Sequence, residues 1–165
     1  MIATRATRVQ LGFAIVLLVL LQFYVRPRFW SARSSPDFAL IGLILVAMRT
    51  GPGLGAVVGF LFGVTVDALT PARFGAAALA HTVVGYLAAS GRAVFFADNL
   101  LVNAGFVAVG LWLRNLIVLL VSGAGERSLL TELTLYGPLQ ALSTALFTLV
   151  LLVAYREWLS IRLDA

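Results

Sequence analysis

The chain has 165 residues, of which 61% are hydrophobic and 12% charged, and its mean hydropathy is +1.02. Soluble domains are about half apolar and about a quarter charged, and so short a chain has too little interior to hide the excess, which excludes a compact cytoplasmic enzyme. The net charge of +5 comes from twelve basic residues, all arginine, lying singly or in pairs between apolar runs. That placement suits contact with anionic lipid headgroups rather than nucleic acid. The absence of cysteine excludes a disulfide scaffold, thiol catalysis and cysteine-ligated metal.

Six apolar segments follow along the chain, each with enough carbon to dissolve in lipid, where a span takes about 20 residues. The first covers 10–25; Arg5 and Arg8 precede it and Arg26, Arg28 and Arg33 follow, with no small-residue cleavage site, so it reads as a retained anchor. The second, 37–48, opens after Pro36 and is short for a full span. The third is 53–69, the fourth 74–96, the fifth 100–121. The sixth, 129–158, is long enough to tilt or bend, with Pro138 as the bend. The loops between segments are short, and backbone polar groups in lipid must be satisfied internally. The expected fold is therefore an all-α membrane protein, a six-helix bundle forming a single polytopic domain over 1–165.

With the N-terminus inside, Arg5, Arg8, Arg49, Arg92, Arg156 and Arg162 face the cytoplasm, and Arg26, Arg28, Arg33, Arg73 and Arg127 face out. The balance between the two sides is nearly even. The N-terminal pair acts first during insertion, which favours both termini inside. The outer loop from Arg26 to Pro36 is then unusually basic and aromatic, carrying Phe29 and Trp30.

The most regular feature lies in the third segment. Gly55, Gly59 and Gly63 repeat every four residues, and Asp67 continues the same face. Such a glycine groove admits another helix backbone at close range. Its occupant is either the fourth segment, with its own line of Ala77, His81, Gly85 and Ala89, or the helix of a partner. Asp67 stands near the outer end of its helix as a cap, a salt-bridge partner of Arg73 or a polar contact to another helix or a partner. The run Gly51-Pro-Gly-Leu-Gly55 is no phosphate loop, because it lacks the preceding strand and the chain has no lysine.

Three polar residues stand out within the spans. His81, the only histidine, lacks the cysteines or paired carboxylates that a metal site needs, and reads as a buried hydrogen-bonding group. Arg114 lies in the second half of the fifth span beside Trp112 and Asn115, where an unpaired charge costs at least about 2.5 kcal/mol. It must snorkel or find a partner, with Asp67, Glu126 and Glu132 as the candidates. Asn103, with Asn99, adds a polar edge at the inner end of the same helix. No nucleophile, base and carboxylate assemble into a catalytic set, and no cofactor is called for.

Pro36-Asp37-Phe38, Arg49-Thr-Gly51-Pro52 and Gly59-Phe60-Leu-Phe-Gly63-Val-Thr-Val-Asp67 come in order, with Gly75 and Gly85-Tyr86-Leu87 after them. This arrangement resembles the rod shape-determining protein MreD family, whose usual length the chain shares. The resemblance implies a non-enzymatic inner-membrane component of the cell-wall elongation machinery. It implies association with MreC, and through it with MreB, RodA and a class B transpeptidase. It also implies a fold similar to the substrate-binding subunit of energy-coupling-factor transporters. On this reading Gly55, Gly59, Gly63 and Asp67 form the groove for the MreC helix. The alternative is a ligand-binding membrane subunit of a vitamin transporter, with Asp67, Arg114 and Glu132 available to a pocket.

Overall fold

A computed structural model describes residues 5–28, 34–69, 73–91, 100–123 and 125–161. Those residues form helices α1 (Arg5–Leu20), α2 (Phe38–Ala47), α3 (Pro52–Asp67), α4 (Ala76–Gly91), α5 (Leu100–Val121), α6 (Glu126–Thr131) and α7 (Gly137–Ile161), with no strand among them. A π turn, Glu132–Tyr136, joins α6 to α7 without a break, so the described residues make six helical rods. The described helices overlap each of the six predicted segments, with α1 starting at Arg5 rather than at 10. Phe29, Trp30 and Arg33 of the outer loop, residues 92–96 of the fourth segment, Asn99 and Arg162 lie outside the described residues.

Length separates the rods. Among the described residues two helices are long and apolar enough to cross a membrane by length and composition: Leu101–Val121 and Arg127–Ala154. The helices α2, α3 and α4 are shorter, at 10, 16 and 16 residues. The ten residues of α2 need no contact with lipid, because α1, α3, α4, α5 and α7 all pack against them. Phe38, Leu40, Ile41, Leu43 and Ile44 are buried within that ring, and Phe38 meets Phe147 of α7 edge-on at 4.8 Å between ring centres. Sequence hydropathy treats α2 as a stunted span; the structure shows it as the core of the bundle. The outer helices instead expose their apolar side chains, among them Phe13, Leu54, Val57, Phe60, Val109 and Val150.

The bend expected at Pro138 takes a specific form. Proline lacks an N–H and its ring crowds the carbonyl four residues back. Just before it the helix widens into a π turn, with the Gly137 N–H donating to the Glu132 carbonyl five residues back. The same device closes α1. There the π turn Leu21–Val25 ends with the Arg26 N–H donating to the Leu21 carbonyl, one residue before Pro27. Both widened turns lie beside a polar cluster at the start of α2: Gln22 is within the first, and Gln140 follows the second by one turn.

Candidate functional site

The glycine face of α3 is filled by α4. A methyl group at Gly59 would overlap the His81 carbonyl oxygen, one at Gly63 would overlap Ala77 and Ala78, and one at Gly55 would overlap Gly85 and Ala89. The pairing runs in opposite directions along the two helices, as a short connection requires. Gly85 reciprocates, since a methyl there would overlap the Gly55 carbonyl. Of the two predicted occupants the fourth segment is the one present, and this face of α3 has no room for a further helix. The physical reason is close backbone approach: four-spaced glycines gain dispersion and weak backbone contacts only when the gap between the helices is closed.

Asp67 completes that seam. Its carboxylate accepts from the backbone N–H groups of Gly75 (2.9 Å), Ala77 (3.0 Å) and Ala78 (2.8 Å). These belong to the start of α4, whose first N–H groups have no helical partner. The negative charge also suits the positive end of the helix dipole. Gly75 takes a φ of +97° to turn the chain into α4, a conformation that favours glycine. Of the roles open to Asp67 in the sequence, the structure shows the cap, made to the following helix rather than to its own. His81, one turn further along, donates from Nδ1 to the Ala77 carbonyl at 2.8 Å. Its ring is fully buried, and Nε2 has no hydrogen-bond partner among the described residues.

The second arrangement gathers at the end of the bundle where α1 stops and α2 begins. Asp37 caps α2, with Oδ1 accepting from the Leu40 N–H at 3.1 Å. Its other oxygen, Oδ2, faces two guanidinium groups, Arg114 Nη2 at 3.5 Å and Arg26 Nη1 at 3.7 Å. Gln22 reaches across from the π turn after α1, its carbonyl oxygen accepting from the Phe38 and Ala39 N–H groups at 3.1 and 3.3 Å. Thr144 of α7 accepts from the Asp37 N–H at 3.2 Å, while its own hydroxyl donates to the Gln140 carbonyl at 2.7 Å. Arg114 also donates to Asn115 Oδ1 at 2.8 Å, and Asn115 passes the bond on to the Gln140 side chain at 3.0 Å. Ser143 donates to the Ser34 carbonyl at 2.7 Å, closing the cluster from the loop side. The backbone N–H groups of Asp37 and of the first turn of α2 are thus satisfied by the side chains of Thr144, Gln22 and Asp37.

The expectation for Arg114 is corrected here: among the described side chains the carboxylate it meets is Asp37, which is not one of the candidates. Asp67 is taken up by the α4 amides, and the side chain of Glu126 lies outside the described residues. Asp37 stands in the motif Pro36-Asp37-Phe38, yet its role depends on Arg114 and Thr144, far along the chain, which no local spacing reveals. The signal in the sequence is chemical: a buried arginine in an apolar helix requires an acid, and Asp37 is the acid that opens the most buried helix. Asn103 is buried near the opposite end of α5 and does not join this cluster.

The family model for the rod shape-determining protein MreD matches residues 5–159. The chain belongs to the MreD family. That family is a membrane protein family with a role in rod shape determination, and its members are shape-determining structural proteins rather than known enzymes. No curated protein and no solved structure matches the chain. The likeness to an energy-coupling-factor subunit is accordingly not shown, and the vitamin-transporter alternative has no support.

Proposed function

We propose that the protein is a multi-pass membrane scaffold of the rod-shape machinery of the bacterial inner membrane, with both termini in the cytoplasm. It holds the membrane-spanning helix of MreC and, through MreC, connects to MreB, RodA and a class B transpeptidase. The observation that carries the reading is the family match across 5–159. The arginines Arg5 and Arg8 support the orientation, because an N-terminal basic pair acts first during insertion.

Since α4 covers the glycine face, the partner helix would meet α3 on its outward side, where Leu54, Val57, Phe60 and Leu61 are exposed. The chain has no cysteine, so single cysteines placed at Leu54, Val57 or Leu61 report cleanly. Each is expected to crosslink to a cysteine in the MreC helix when both proteins are produced together. Crosslinks from Val109 or Val150 but none from α3 would move the interface; failure of the two proteins to co-purify in mild detergent would end the scaffold reading. For orientation, a cysteine at Gly123 between α5 and α6 is expected to react with an impermeant maleimide added outside the cell. Labelling only after lysis would invert the topology.

A further inference from the structure

Among the described residues, Arg26 and Arg114 share a single carboxylate in contact, Asp37, while the next carboxylate that acts on Arg114, Asp67, is held by the amides at the start of α4. Two guanidinium groups face a single carboxylate oxygen at 3.5 and 3.7 Å, and that oxygen accepts no hydrogen bond. Both contacts are ion pairs without the shorter, directed geometry that a carboxylate and a guanidinium reach when each has the other to itself. The arginine side chains are only 18% and 11% exposed, and Asp37 is 0% exposed. Arg114 Nε is buried with no hydrogen-bond partner among the described residues. Arg26 Nε donates to Ser35 Oγ at 3.4 Å; Ser35, Gln22, Asn115, Gln140 and Thr144 are neutral, and the amino end of α2 adds a further positive field. An excess cation held this far from water is costly unless an anion balances it.

We infer that Arg26 and Arg114 together bind the phosphodiester of an anionic phospholipid headgroup. A phosphodiester carries one negative charge and two free oxygens, which suits two guanidinium groups that share one carboxylate and the unpaired Nε–H of Arg114. A lipid rather than a free anion fits the surroundings. Tyr24 on the Arg26 side is 63% exposed, and Leu142, close to Gln140 on α7, is 59% exposed, so acyl chains have apolar side chains to cover beside the charge. This inference does not depend on the scaffold reading, because it concerns the chain by itself.

The test uses the full chain purified in a non-ionic detergent, delipidated, and then supplied with phosphatidylglycerol, phosphatidylcholine or inorganic phosphate. Phosphatidylglycerol is expected to raise the apparent Tm by several degrees and to stay bound in native mass spectrometry, with little effect from the other two. Two variants change the charge without emptying the cluster. Gln140→Glu keeps the acceptor for Asn115 and supplies the second carboxylate; it is expected to raise the lipid-free Tm and weaken phosphatidylglycerol retention at least tenfold. Arg26→Gln removes the excess cation, leaves the Arg114–Asp37 pair and is expected to weaken retention likewise. Equal stabilisation by phosphatidylcholine, or retention undiminished in both variants, would overturn the inference. An equal effect of inorganic phosphate would assign the arginines to a free anion and overturn the lipid source.

Discussion

The α3–α4 seam and the Asp37 cluster hold the bundle by opposite means. Along the seam, backbone meets backbone between two helices joined by a short connection, and small residues exist there to add nothing. At the cluster, the side chains of Gln22, Asp37 and Thr144 satisfy four peptide N–H groups while Arg26 and Arg114 meet one carboxylate, with partners as far apart as Asp37 and Thr144. The first tolerates no added atom and the second no lost one. In lipid both strategies are needed, because the apolar side chains of the outer helices gain little by leaving lipid for one another.

Substitutions can separate the two regions by the size of their effects. Gly59→Leu is expected to be the most damaging. A groove open to a partner helix would let this variant insert normally and lose only the complex; with His81 backbone against that face, it should instead cost above about 3 kcal/mol and abolish the monodisperse peak in fluorescence-detected size exclusion. Survival of that peak would show that α3 and α4 can separate. Asp37→Ala leaves two guanidinium groups without their carboxylate, at an expected cost of about 3–5 kcal/mol in thermal stability. If Asp37→Ala proved harmless, Arg114 would have to be snorkelling to water. Gln22→Leu strips the acceptor from the Phe38 and Ala39 N–H groups, an expected loss of about 1–3 kcal/mol. Asp67→Asn keeps one acceptor for α4 but removes the charge, for about 1 kcal/mol by the same heat challenge. Gly105 has nothing within 4 Å of where a methyl would stand. Gly105→Ala is therefore expected to be neutral or to stabilise by up to about 1 kcal/mol, the control that the seam glycines should not match.

Much of the seam is legible in the amino-acid sequence. Four-spaced glycines on one segment and four-spaced small residues on the next, separated by a short loop, put complementary surfaces on neighbouring helices. Spacing leaves open which of two possible helices fills the groove, since glycine advertises close approach without naming what approaches. Asp67 is placed at a helix end by its position, but that it caps the next helix depends on how the chain turns at Gly75. The cluster is hardly legible. Arg114 announces that it needs a partner, and spacing points to three other acids ahead of the one it has.

The amino-acid sequence by itself determined that this is an all-helical membrane chain, roughly where its apolar helices lie, and which residues let two of them touch. Those properties follow from hydropathy and from periodicities of three to four residues, which act within a helix or between neighbours. Only the tertiary structure decided that the shortest apolar segment is the core and that Asp37 at its mouth gathers Arg26 and Arg114. It also decided that Gln22 and Thr144 complete the first turn of α2. In lipid, hydropathy no longer distinguishes inside from outside, so the position of each helix rests on backbone fit and on where buried polar groups find one another.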